Sequence, residues 1–183
     1  MKKGFSLVEL LIVVAFVLVF GMAISAAVIR NSKPISSFNE YETKVQQGLV
    51  LPEPTGYVVD LSGVLKEETK QKIESDLKAL DQTAQVAVVT VKTTQPLSVE
   101  QYAIKLADKW KPGYKGKDNG IIFLIVTEDR KVRIEVGRGL EEVINDAKAG
   151  RILDESVVPF LRNNDWNGGA LSGVEAISKE VKK

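Results

Sequence analysis

The chain has 183 residues, a formal net charge of +1, no Cys and no His. That length holds one domain plus an anchor, and the near-neutral charge leaves no basic excess for nucleic acid. Without Cys or His there is no disulfide framework, no thiolate chemistry, no Ser-His-Asp triad and no His-containing zinc site, so any metal site must use oxygen ligands.

Residues 5–29 are an apolar run broken by a single charge, Glu9. As a helix rising ~1.5 Å per residue it spans about 38 Å, enough to cross a hydrocarbon core of about 30 Å with some tilt. Lys2 and Lys3 precede it and predict a cytoplasmic N-terminus with the remainder exported. A carboxylate in this setting is a functional candidate, although its place near the helix start also lets it reach the interface.

The order Lys2-Lys3-Gly4, then Phe5-Ser6-Leu7-Val8-Glu9, then the long apolar run resembles the N-terminus of type IV prepilins and pseudopilins. The resemblance implies cleavage after Gly4 by a prepilin peptidase and methylation of Phe5. It also implies self-association through the helix, with Glu9 pairing with a neighbour's terminal amine in a filament. The protein would then sit in the cytoplasmic membrane with its C-terminal domain exported, or in a cell-surface pilus. The chain departs from the pilin pattern in having no Pro late in the run and no Cys to close a head loop. A plain uncleaved anchor and a conventional signal cleaved near residues 23–27 are the alternatives.

Pro34 and its polar neighbours end the first helix. Ser37 and Glu40 read as a capping box for a short helix to about Gln47, and Pro52 and Pro54 mark an extended linker. The expected division is a leader and transmembrane helix at 1–30, a linker with a short helix at 31–51, and a globular domain at 52–183. Within that domain, 57–59 reads as a short strand and 67–80 as a helix with Ile73, Leu77 and Leu80 inward. The Val-rich stretch 85–92 reads as a buried strand. Ser98 and Gln101 form a second capping box, opening a helix to about Lys109 with Val99, Ala103, Leu106 and Trp110 on one face. The apolar stretch 120–127 reads as a central strand covered on both faces, and 131–136 as its antiparallel return with Val132, Ile134 and Val136 inward. Helices are expected at 139–147 and 149–162. A polar loop follows around Trp166, and a last helix spans 171–182. Trp110 and Trp166 read as packing residues. The order is α/β: a small mixed sheet covered by helices, with a right-handed parallel crossover between the strands at 85 and 120.

Three motifs in this domain carry a second resemblance. They are Tyr57-Val58-Val59-Asp60-Leu61-Ser62-Gly63-Val64-Leu65, Trp110-x-x-Gly113 followed by Lys117-Asp118-Asn119-Gly120, and the stretch from Asp129 through Gly137-Arg138-Gly139-Leu140-Glu141. Together they resemble the TPM domain family over about residues 52–178. The resemblance implies an extracytoplasmic, usually membrane-tethered α/β module. Some members bind divalent cations, calcium among them. One plant branch shows phosphatase activity, and others are accessory proteins of membrane complexes. Fold follows from this more firmly than function.

Geometry limits which acids can cooperate. Asp118 and Asp129 flank one strand and lie roughly 26 Å apart at ~3.3 Å per residue. Asp118, Asn119, Glu141 and Asp146 can converge at one sheet end, as oxygen ligands for calcium or magnesium. Glu141 and Asp146 are five apart on the expected helix, so one of them could fall outside the site. Asp60 joins Asp118 if its strand is antiparallel and faces the other end if it is parallel. The competing reading makes each acid a turn or helix-cap residue. Arg138 and Gly139 at a helix start, with Lys115 and Lys117 nearby, form a weak anion-binding candidate, and Asp118 is the nucleophile candidate for a tethered phosphatase. The balance points to a structural or binding role before a catalytic one.

Overall fold

The computed structural model describes residues 51–183. Gly4, Phe5, Glu9, the expected transmembrane helix at 1–30 and the short helix near 37–47 lie outside the described residues. Among the described residues no helix is long and apolar enough to cross a membrane.

Four strands form one sheet in the order of the chain: β1 (Val58–Asp60), β2 (Gln85–Val91), β3 (Gly120–Val126) and β4 (Lys131–Val136). β1 is parallel to β2, β2 is parallel to β3, and β4 returns antiparallel to β3. All seven residues of β3 are buried, as a central strand covered on both faces requires.

The helices are α1 (Glu67–Leu80), α2 (Val99–Trp110), α3 (Asp146–Ile152), α4 (Val158–Arg162) and α5 (Trp166–Val181). The stripes of α1 (Ile73, Leu77, Leu80) and α5 (Val174, Ile177, Val181) share one core with Val86, Val88, Ile121, Phe123 and Ile125 of the sheet. Each large apolar side chain buried here contributes about 1.5–3 kcal/mol. α2 packs on β3 and β4, and the expected capping box at its start is present: Gln101 N–H donates to Ser98 Oγ at 3.2 Å and Ser98 N–H to Gln101 Oε1 at 3.1 Å.

The helices after β4 differ from the sequence reading. In place of a helix over 139–147 there is one 3-10 turn, Arg138–Leu140, and α3 begins at Asp146, where the Asn145 side chain accepts the Lys148 N–H at 3.0 Å. The reason is a close backbone crossing. Gly137 N–H donates to Gly120 C=O at 2.8 Å and Gly139 N–H to Asp118 C=O at 3.0 Å. A Cβ on Gly139 would lie 1.8 Å from the Lys117 carbonyl oxygen. The glycines serve that approach, and the helix waits for its Asn cap.

A π-helical turn, Leu153–Val157, then joins α3 to α4, which ends at Arg162 as expected. α5 starts at Trp166, five residues before the expected Leu171, with Asp165 accepting the Gly168 N–H at 2.9 Å. Its glycines permit close packing: a Cβ at Gly169 would lie 2.6 Å from Leu161 Cδ2, and one at Gly173 2.5 Å from the Phe123 ring.

Candidate functional site

The two signature acids sit at opposite ends of the sheet. Asp60 is level with Thr90, whereas Gly120, two residues after Asp118, is level with Gln85. Five residues of strand separate those levels by roughly 17 Å, so Asp60 is not part of an Asp118 site. Its carboxylate is already engaged. It accepts the backbone N–H groups of Gly63, Val64 and Leu65 at 3.0, 3.2 and 2.9 Å, and the Thr90 hydroxyl. Asp60 therefore holds the Leu61–Leu65 loop in place. Asp129 does similar work at the same sheet end. It accepts the Thr94 N–H at 3.1 Å and the Thr93 hydroxyl at 2.9 Å, and these bonds, the Thr94 amide first, hold its carboxyl below the ordinary Asp range.

At the Asp118 end the expected oxygen cage is not assembled. Asn119 is buried and both ends of its amide are used: Nδ2 donates to Thr83 C=O and Oδ1 accepts the Tyr114 N–H, each at 2.8 Å. Asp118 has an exposed side chain in left-handed backbone (φ 46°). Glu141 is exposed beside the 3-10 turn, and Asp146 is exposed in the first turn of α3. Among the described residues no group of three or more Asp, Glu, His or Cys side chains is placed to hold a metal. As placed here, these residues do not fit a preformed calcium or magnesium centre. The anion candidate fares no better, since the Gly139 N–H is spent on Asp118 C=O. Arg138 is exposed, and Lys117 lies with its Nζ 5.5 Å over the Tyr114 ring.

A cleft of about 310 Å³ lies elsewhere, where β1 has not yet begun and the start of β2 is open. Gln85, Val86 and Ala87 at the start of β2 form one wall, and the others come from three places. The linker before β1 supplies Pro54 and Tyr57, the end of α2 supplies Trp110 and Lys111, and the residue after α1 is Asp81. The linker is fixed to α2: Trp110 Nε1 donates to Pro52 C=O at 2.8 Å, and Lys109 Nζ reaches Leu51 C=O at 2.9 Å and the Glu53 carboxylate at 2.6 Å. Trp110 thus fastens the linker through its indole N–H and stands half-buried at the cleft.

Asp81 is the polar centre of the cleft. Its Oδ2 accepts the Tyr114 hydroxyl at 3.3 Å, while Oδ1 is buried and has no partner among the described residues. Burial, and then the Asp81 charge, raises both the Tyr57 and Tyr114 hydroxyls above the ordinary tyrosine value. Sequence reasoning passed over Asp81. A signal existed: the residue follows the last turn of α1, where the helix dipole disfavours a carboxylate.

The TPM domain model matches residues 58–180. The chain belongs to the TPM domain family. A chloroplastic UPF0603 protein of Oryza sativa subsp. indica is 30% identical over 120 residues, covering 62% of this chain and 38% of that protein. One of Arabidopsis thaliana is 23% identical over 129 residues, covering 69% and 45%. This chain therefore spans less than half the length of either curated relative. Among solved structures, the N-terminal domain of a P. gingivalis protein superposes with a TM-score of 0.65 at 28% identity, covering 75% of this chain and 87% of that one. BA42 from the psychrophilic bacterium Bizionia argentinensis has a TM-score of 0.56 at 16% identity, covering 66% and 83%, which speaks to the fold alone.

Proposed function

We propose that this TPM-domain protein is a membrane-anchored binding module, with the domain held outside the membrane and its ligand taken in the Asp81 cleft. The observation that carries the reading is the division of labour among polar groups. Asp60 and Asn119, from two of the family motifs, are consumed in holding loops, while Asp81, which lines the cleft, has one buried carboxylate oxygen without a hydrogen-bond partner among the described residues. The anchor rests on the apolar run at 5–29, preceded by Lys2 and Lys3.

Alkaline extraction of membranes and protease protection test the anchor. The full chain is expected in the extracted membrane pellet, with its domain digested only from the exported side. Recovery in the soluble fraction would overturn that part. Turnover of a phosphomonoester by the purified chain, abolished by Asp118→Ala, would instead favour a tethered phosphatase.

A second reading is favoured by the spacing of Gly4, Phe5 and Glu9: pilin-type processing followed by self-association through the N-terminal helix. Mass spectrometry of the N-terminal peptide tests it. A methylated Phe5 terminus is expected under this reading, and a retained Met1 would exclude it.

A further inference from the structure

In a parallel ladder the main-chain groups of alternate residues turn to alternate neighbours. Within β2, Val88 N–H donates to Tyr57 C=O at 2.8 Å and Thr90 C=O accepts the Leu61 N–H at 2.9 Å, so even-numbered residues face β1. Gln85 N–H donates to Asn119 C=O at 3.0 Å, so odd-numbered residues face β3. Val86 therefore turns its N–H and C=O toward the β1 side, two residues before the register at Val88 with which β1 opens. Neither group has a backbone partner there among the described residues, and Val86 lines the cleft. A buried backbone pair without a partner is costly and uncommon in folded proteins. Asp81 Oδ1, in the same cleft, is a second buried acceptor without one.

We propose that the cleft binds an extended peptide segment, which pairs with the backbone of Val86 and sets a Lys or Arg side chain against Asp81. The proposal rests on the binding-module reading above and names its ligand class. An isolated small amine would answer Asp81 and leave Val86 open. A peptide answers both, because strand addition satisfies an N–H and a C=O together while a side chain supplies the cation. The walls suit the aliphatic stem of such a side chain: Ala87, Pro112 and the Trp110 ring line the same cleft. Lys111 also lines it, but is exposed and makes no ion pair with Asp81 among the described residues. The volume, about 310 Å³, is at the small end of ligand clefts and admits one or two residues of guest.

The test uses the full chain, isotopically labelled, in detergent micelles. It is titrated with acetyl-Val-Lys-Val-amide, with the same peptide carrying norleucine for Lys, and with a version N-methylated along its backbone. The Val86 amide proton is expected to move downfield and saturate with the Lys peptide. Asp81→Asn and the norleucine peptide should each weaken binding about tenfold, the worth of one charge-assisted hydrogen bond. The N-methylated peptide has no N–H for the Val86 C=O and is hindered from lying as a strand, so it should bind at least tenfold more weakly. A Val86 amide that stays put at millimolar Lys peptide overturns the proposal, as does equal affinity for the norleucine peptide. A Val86 shift that follows protein concentration without peptide would mean that a second copy of the chain takes the edge, and would also overturn it. These outcomes are independent of where the protein fractionates, so failure here is distinguishable from failure of the anchor.

Discussion

The Asn119 side-chain amide donates to the Thr83 carbonyl at 2.8 Å while its oxygen accepts the Tyr114 N–H at the same distance. One buried side chain thus joins the turn before β2 to the loop before β3, and this explains why an Asn precedes Gly120. Replacement by Ala leaves a carbonyl and an amide without partners. Asn119→Ala is expected to cost about 2–4 kcal/mol, which lowers the melting temperature by roughly 10 °C in a domain of this size. A drop of only a degree or two on thermal unfolding would show that the bridge is dispensable.

The two motif acids should separate in a stability comparison. Asp60→Asn removes acceptor capacity from a loop with three backbone donors and the Thr90 hydroxyl, and is expected to cost roughly 2 kcal/mol. Asp118→Asn changes an exposed side chain and should stay within about 0.5 kcal/mol of the parent. Urea midpoints decide between them, and equal midpoints for the two variants would contradict the loop-holding role of Asp60.

The strands, α1 and the start of α2 were legible because local pattern and tertiary need agree there. Apolar runs became buried strands, Ser98 and Gln101 became a reciprocal cap, and Ile73, Leu77 and Leu80 became a core stripe. Gly137 and Gly139 misled because their use depends on Lys117 and Asp118, some twenty residues earlier in the chain. Gly168 and Gly169 read as loop, yet their missing side chains make room for Phe160 and Leu161. The cleft was hidden for a related reason: nothing local indicates that β1 starts too late to cover Val86.

Glycine substitutions should have opposite signs at two positions. In Gly139→Ala the new Cβ meets the Lys117 carbonyl oxygen at 1.8 Å, and the resulting backbone shift is expected to cost about 2–3 kcal/mol or more. Gly150 lies in α3 with open space around a built Cβ, so Gly150→Ala is expected to stabilise by about 0.5–1 kcal/mol. Chemical denaturation of the two variants measures both. A destabilised Gly150→Ala would show a constraint on α3 that its surroundings do not reveal.

Acid sensitivity should trace in part to Asp129. Its folded-state pKa is depressed, first by the Thr94 amide and then by the Thr93 hydroxyl. A depressed carboxylate contributes stability that is present above its unfolded value, near 3.9 for an ordinary Asp. That stability is lost as pH falls through the lower folded value. Stability should therefore decline on acidification below about pH 4, and the decline should be shallower in Asp129→Asn. Superimposable urea midpoints for parent and variant between pH 5 and pH 2 would refute this.

Asp81 stands in electrostatic opposition to the helix it follows. Asp81→Asn removes a charge from the C-terminal end of α1 and is expected to stabilise the fold by up to about 1 kcal/mol, read as a higher melting temperature. A destabilised variant would mean that the carboxylate serves the fold more than the cleft.

An unsatisfied strand edge is a templating hazard, since any extended chain can lengthen the sheet along it. Here the opening is bounded. Proline, which has no N–H to give, stands at Pro52 and Pro54 on the linker side and at Pro112 beyond α2, and β1 resumes the ladder at Val58. A visitor therefore finds one residue's worth of hydrogen bonding and no track to extend along. On the proposal above, a short strand would fit here and a long polymerising one would not.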